Sequence, residues 1–217
     1  MRYTTLTNSP FLRQSVTPMW TYWDNAFTEE GIEKIKELCQ KKELERGTIA
    51  GATTSTVDEK IRHSNISFHS ISDENAWIFK AFNDIIYTLN EQFYNFELNG
   101  YDSFQYSEYR GDEQGKYDWH VDLLFGDTNN PMTAKSSPGA YGQTRKLSLV
   151  MNLTAPGEDY EGGMFQMHAG NIGKPTDILL PKGKIIVFPS FMPHRVTPIT
   201  SGIRKSIVIW VLGPKFM

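Results

Sequence analysis

The chain is poor in cysteine, in long apolar runs and in excess charge of either sign. Its single cysteine, Cys39, cannot form an internal disulfide. Its place in a helical pattern reads as a small buried hydrophobe rather than a nucleophile. The longest uncharged apolar run, Ile207–Leu212, is far shorter than the roughly 20 residues that a bilayer-spanning helix needs. The opening residues, Met-Arg-Tyr-Thr-Thr, lead into no apolar signal core. A net charge of -3 over 217 residues provides neither the basic excess nor the stripe that a nucleic-acid footprint requires. These absences predict a cytoplasmic protein with no nucleic-acid and no membrane partner. The balance of 39% hydrophobic and 22% charged residues fits one globular domain over residues 1–217.

What is present divides near residue 100. Thr28 is placed to cap a helix whose first turn carries Glu29 and Glu30, with Ile32, Ile35, Leu38 and Cys39 at helical spacing. A second helix is expected from Ser72–Asp73 to Asn99–Gly100, burying Trp77, Phe82, Ile85, Ile86, Leu89 and Phe93. Ile61 to His69 reads as extended. After Gly100 come short β-type runs broken by Gly and Pro: Ser103–Tyr109, Tyr117–Leu124, Lys146–Leu153, Gly163–Met167, Lys184–Phe188, His194–Pro198 and Ile203–Leu212. Such spacing predicts an antiparallel sandwich or barrel. The fold class expected is therefore mainly β, with residues 1–100 as a helical N-terminal support for a β core over 101–217. Asp127–Thr144 has no periodicity and reads as a long loop suited to a lid.

Five histidines are available for chemistry: His63, His69, His120, His168 and His194. In Tyr117-Asp-Trp-His-Val-Asp122, alternate residues of a strand share a face, so His120 and Asp122 point the same way. By itself His-x-Asp is weak, since a random chain of this composition holds it about one time in four. His194, opening a later strand, can add the third ligand, and two His with one carboxylate and open positions favour iron(II) over zinc. Arg204 follows ten residues later, one hairpin away, where its planar fork could grip a carboxylate. Taken alone it reads rather as a surface salt-bridge residue at a strand end. Ser206 shares its face, as do Val208 and Trp210. His168 is expected at a loop or rim, His63, His69 and Arg62 in structural roles, and Lys182 and Lys184 in solvent.

His120-Val-Asp122, the Phe-Pro-Ser segment before His194, and Gly202-Ile-Arg204-Lys-Ser-Ile-Val together resemble the 2-oxoglutarate/iron(II) dioxygenases of the prolyl-hydroxylase type. So do Tyr109-Arg-Gly-Asp-Glu-Gln-Gly-Lys-Tyr117 and the Arg145–Leu153 run with Glu161-Gly-Gly-Met-Phe165. The likeness covers roughly residues 103–213. It implies a double-stranded β-helix (a jelly-roll, cupin-like core) packed against helices. It implies His120, Asp122 and His194 as iron ligands and Arg204 as anchor for the distal carboxylate of 2-oxoglutarate; strand alternation places the Ser206 hydroxyl where it could add a hydrogen bond. Tyr109 would line the cofactor or substrate pocket, or else stand as a core tyrosine. Halogenating relatives lack the carboxylate ligand, so Asp122 argues for hydroxylation. Fe(II), 2-oxoglutarate and O₂ are the implied cofactors, with ascorbate as a candidate stimulant. The implied reaction hydroxylates a C–H bond of a prolyl or other amino-acid residue in a peptide or protein, releasing succinate and CO₂. Free amino acids stay open as substrates, and two other readings stand beside this one: a cupin-like metalloenzyme without 2-oxoglutarate, and a non-catalytic ligand-binding barrel.

Overall fold

The first helix starts where its cap lies. Thr28 Oγ1 accepts a hydrogen bond of 3.1 Å from the Gly31 backbone N–H, and helix α1 runs over Glu29–Gln40 with Ile32, Ile35 and Cys39 buried. Burial pushes the Cys39 thiol up to about 12, so it packs as an apolar group. The computed structural model describes residues 18–50, 55–123, 143–168 and 173–216.

Among the described residues, six strands precede residue 100: β1 (Thr21–Trp23), β2 (Glu45–Arg46), β3 (Ile49–Ala50), β4 (Ser55–Thr56), β5 (Arg62–His63) and β6 (Asn65–Ser70). Helix α2 (Ala76–Leu89) follows, then a π-helical turn over Asn90–Tyr94. Beyond it lie β7 (Ser103–Arg110), β8 (Lys116–His120), β9 (Gln143–Asn152), β10 (Tyr160–Gly162) and β11 (Phe165–Met167). The chain closes through β12 (Thr176–Ile178), β13 (Ile185–Pro189), β14 (His194–Val196) and β15 (Ile199–Pro214). Among the described residues the large sheet has the order β1-β13-β9-β15-β7-β6-β2, with β10 added to β15. The smaller sheet has the order β12-β11-β14-β8-β5, and all of these pairs are antiparallel. The mainly β architecture is as expected, and strands from the first hundred residues extend both sheets rather than only supporting them.

Strand β15 shows how one segment serves two layers. Ile207, Ile209 and Val211 pack outward into a core shared with α1 and α2, while Arg204, Ser206, Val208 and Trp210 face the other way, toward the small sheet. The outer core joins Ile32, Ile35, Phe82 and Ile85 to Leu147, Leu149 and Ile185. The inner cluster, with Val150, Ile186 and Phe188 against Phe165, Val196 and Ile199, is smaller and leaves room for polar groups.

Several boundaries differ from the sequence expectation, each for a local reason. Helix α2 begins at Ala76 because the Asn75 side chain holds residues 70–75 in a turn, accepting from Ser72 N and donating to Ser70 O. It ends at Leu89, well before Asn99, since the Asn90 side chain bonds both backbone groups of Phe96 and Asn95 takes a left-handed φ of 53°. Trp77 lies 40% exposed, its indole donating to Glu74 O, and Ile78 and Phe79 take the buried stripe instead. Phe93 packs half-buried at the margin of that core. Lys182 and Lys184 are paired rather than free: Lys182 lies 2.7 Å from Glu29 and 3.0 Å from Glu33, and Lys184 3.3 Å from Asp24. Most of the expected Asp127–Thr144 loop lies outside the described residues, and Gln143 and Thr144 open β9. No described helix is long and apolar enough to cross a membrane.

Candidate metal centre

His120 ends β8 and His194 begins β14, and the two are direct cross-strand partners. Their rings lie 4.2 Å apart between centroids. Asp122 reaches them by a different route from the one its spacing suggests. The β8 ladder stops at His120, and the backbone N–H groups of Asp122 and Leu123 both donate to Ser190 O, at 2.9 Å each. That turn swings the carboxylate inward. Asp122 Oδ1 lies 3.8 Å from His120 Nε2 and Oδ2 lies 3.6 Å from His194 Nε2. One ligand atom from each of the three residues lies within 4.8 Å of the others.

The imidazoles are oriented by their own strands. His120 Nδ1 bonds Asp118 O at 2.8 Å and His194 Nδ1 bonds Met192 O at 2.9 Å. A carbonyl only accepts, so each Nδ1 carries the proton and each Nε2 presents a lone pair to the shared centre. Burial, and then the neighbouring His194, push His120 down to about 3, which keeps it neutral. Burial alone would raise the Asp122 carboxyl, but His194, His120, Arg145 and Ser148 hold it below the ordinary range. Two imidazoles and one carboxylate make a facial donor set that leaves half an octahedron for other ligands.

Asp122 is held by groups distant in sequence. Ser148 Oγ donates to Asp122 Oδ2 at 2.7 Å and shares a 2.9 Å bond with Ser190 Oγ, both serines being fully buried. Arg145 lies over the Trp210 ring at 4.0 Å, with Nη1 3.4 Å from Asp122 O. We expect Ser148→Ala to weaken metal binding by roughly 10–100-fold, as loss of a group that orients a ligand does. Competition for the metal against a chelator of known affinity measures it, and unchanged affinity would mean that the backbone turn alone orients the carboxylate.

Arg204 sits deeper, 1% exposed, opposite Tyr109 across the β15–β7 pair. Its Nη1 donates to Ser206 Oγ at 3.2 Å, and its guanidinium carbon lies 5.4 Å from the centre of the Tyr109 ring. Nε and Nη2 are buried with no partner among the described residues. A buried cation with two unused donors is costly unless an anion completes it. A surface ion pair therefore does not describe Arg204, whereas a bound carboxylate would satisfy it. Tyr109 and Ser206 are buried beside it.

The remaining histidines stand apart from this group. His168 rests on Trp119, ring centroids 4.3 Å apart, at the rim. His63 lies 3.4 Å from Glu113, and His69 bonds Ser67 Oγ at 2.8 Å while stacking on Phe104. Arg62 comes closer to the centre than its sequence context suggests. It is buried, donates to Ser64 Oγ and Thr48 O, and lies 4.7 Å over the Tyr117 ring, which stacks on His120. Arg145 and Ser148 lie in the Arg145–Leu153 run, but the sequence reading assigned neither of them a role beside the metal ligands. Alternation with Leu147 and Leu149 turns Ser148 inward, whereas Arg145 reaches the same side only through the irregularity at residue 146, where the β9–β15 register shifts.

The comparisons with known proteins agree with this geometry. Residues 104–212 match the model of the 2OG-Fe(II) oxygenase superfamily. A PKHD-type hydroxylase of Hyphomonas neptunium is 33% identical over 99 residues, covering 46% of this chain and 38% of that protein. Another, of Synechococcus sp. strain CC9902, is 38% identical over 97 residues, covering 44% and 35%. The chain thus spans between a third and two fifths of the length of these relatives. A Pseudomonas putida prolyl-4-hydroxylase shares the fold with TM-score 0.66 at 20% identity, covering 92% of this chain and 95% of that one. A Trichoplax adhaerens prolyl hydroxylase, solved with a hypoxia-inducible-factor peptide fragment, gives TM-score 0.68 at 18% identity over 91% and 84%. On the family match over half its length, the chain belongs to the 2OG-Fe(II) oxygenase superfamily.

Proposed function

We propose that the chain is a 2-oxoglutarate- and Fe(II)-dependent hydroxylase acting on an amino-acid residue of a peptide or protein. The observation that carries this is the buried, unpartnered Arg204 beside a His-Asp-His centre. The metal would be held by His120 and His194 through Nε2 and by Asp122 through its carboxylate. The distal carboxylate of 2-oxoglutarate would take the free Nε–H and Nη2–H of Arg204. Ser206 accepts from Arg204 Nη1 and so keeps its own hydroxyl hydrogen for the same pocket, and the Tyr109 ring supports the guanidinium from below. When bound, Fe(II), 2-oxoglutarate and O₂ supply the oxidising power for inserting oxygen into a C–H bond, with succinate and CO₂ released.

The chain's own contribution is placement and exclusion of water. Phe165 and Phe188 pack against His194 at 5.6 and 4.8 Å between centroids, shielding the ligand from solvent. On the other side Trp210, Phe68 and Arg145 offer an aromatic and cationic wall next to Asp122. Such a wall suits a pyrrolidine ring flanked by peptide carbonyls, and the fold shared with prolyl hydroxylases supports a prolyl target. In this reading residues 1–217 act as a single catalytic domain. A cupin-like metalloenzyme without 2-oxoglutarate, or a binding barrel, would leave Arg204 unused.

Anaerobic titration of the Fe(II)-loaded protein with 2-oxoglutarate tests the reading. A saturating visible metal-to-ligand charge-transfer band is expected. A fully iron-loaded protein that gives no band would overturn it in favour of a cupin-like metalloprotein.

A further inference from the structure

β1 ends the order of the large sheet and β12 that of the small one, and a cavity of about 200 Å³ opens between them. Its floor is apolar, since Ile178, Leu180 and Ile186 all line it and all are buried. Trp20 and Tyr22 add aromatic walls, Tyr22 being the partner of Ile186 in the β1–β13 register. Tyr22 is 59% exposed and Leu179, which also lines the space, 68%, so the cavity opens to solvent through apolar groups. Two opposite charges line it as well, Lys184 and Asp177. The fold leaves both with capacity to spare. Lys184 Nζ lies 3.3 Å from Asp24 and 4.5 Å over the Tyr22 ring, and an ammonium has three donors. Asp177 Oδ1 accepts from Gln166 Nε2 at 2.6 Å, which leaves Oδ2 to accept from another group. Contacts of this kind near the surface stabilise little and rearrange readily. No metal ligand lines the cavity, and it shares only Leu179 and Leu180 with the space that Arg204 lines.

We infer that this cavity binds a free apolar amino acid, at a site separate from the metal centre. The inference does not depend on the proposed function. A volume of about 200 Å³ is below the roughly 300–1,000 Å³ of pockets that take drug-sized ligands, and suits one side chain with its backbone groups. An apolar amino acid carries a carboxylate and an ammonium on one carbon beside an apolar body. Its carboxylate would take a hydrogen of Lys184, its ammonium would donate to Asp177, and its side chain would cover Ile178, Leu180 and Ile186. A fatty acid would leave Asp177 unused, and an aliphatic amine would leave Lys184 unused. As a mere gap between sheet edges the cavity would accept apolar molecules without regard to their charges.

The test is calorimetric titration of the metal-loaded full chain with L-leucine and L-phenylalanine. The same titration is made with 3-phenylpropionate, which lacks the ammonium, and with 2-phenylethylamine, which lacks the carboxylate. At least one amino acid should bind, and the two analogues should bind roughly tenfold more weakly, the lower end of what a hydrogen bond between charged groups contributes. Lys184→Met keeps an apolar stem beside Tyr22, and Asp177→Asn keeps an acceptor for Gln166. Asp177 is exposed and Lys184 half-buried, so both variants should melt as wild type does. Each should lose about tenfold in amino-acid affinity. Lys184→Met should leave 2-phenylethylamine unaffected, and Asp177→Asn should leave 3-phenylpropionate unaffected. Wild type that binds neither amino acid would overturn the inference. So would binding unchanged in both variants, as for a ligand seated on the metal, or equal binding of amino acids and analogues.

Discussion

Asp122→Ala is expected to abolish hydroxylation and to lower metal affinity by well over the roughly 10–100-fold that loss of a supporting residue causes. The reason is that Asp122 supplies the sole carboxylate of the triad and lies within 4 Å of both imidazoles, at 3.8 and 3.6 Å. The fold should survive. The backbone bonds that shape the turn, from the N–H groups of residues 122 and 123 to Ser190 O, do not involve the side chain. The Ser148 hydroxyl keeps Ser190 as a partner. Metal content after dialysis against Fe(II), succinate formation and a thermal melt check the three parts. Retained succinate formation in Asp122→Ala would remove the residue from the metal site.

Arg204 separates binding from stability more sharply. Truncating one partner of a buried, hydrogen-bonded charge pair costs about 2–5 kcal/mol, so Arg204→Met should lose two to three orders of magnitude in 2-oxoglutarate affinity. In the ligand-free protein the same change should be neutral or stabilising. It removes a buried cation whose Nε and Nη2 have no partner among the described residues, and methionine fills much of the volume. A thermal shift shows both effects at once. Saturating Mn(II)-loaded wild type at 100 times the dissociation constant adds about 2.7 kcal/mol, or roughly 5–10 °C in a domain of this size. The variant should start at the same or a higher melting temperature and gain almost nothing. A ligand-induced shift as large as wild type's would mean that Arg204 is not the anchor.

The parts of this site that could be read from the sequence are those whose chemistry is local. His120 with Asp122, the histidine opening β14, and an arginine one hairpin later are short patterns with compatible spacing. The capped α1 was legible for the same reason, since Thr28, the acidic first turn and the apolar repeat lie within one stretch. What escaped depends on pairs far apart in the chain. Ser148 lies 26 residues from the carboxylate it bonds, and Ser190 lies 42 from Ser148. The ends of α2 were set by Asn75 and Asn90, side chains that compete for backbone groups and whose effect no apolar periodicity records. Alternation along a strand predicted that His120 and Asp122 share a face. They do converge, but through a turn beyond the strand end.

The two histidines and the aspartate are held in place on different scales. Each imidazole takes its orientation from a carbonyl two residues earlier, and the two rings meet because their strands are neighbours. The carboxylate depends on β9 and on the turn after β13, which join it only when the two sheets are assembled. The β8–β14 pair alone would therefore keep only a two-nitrogen chelate, which follows the ordinary preference of imidazoles for the later first-row divalent metals. The complete facial donor set belongs to the closed sandwich, and transplanting this site to another scaffold would require carrying the serines along with the ligands.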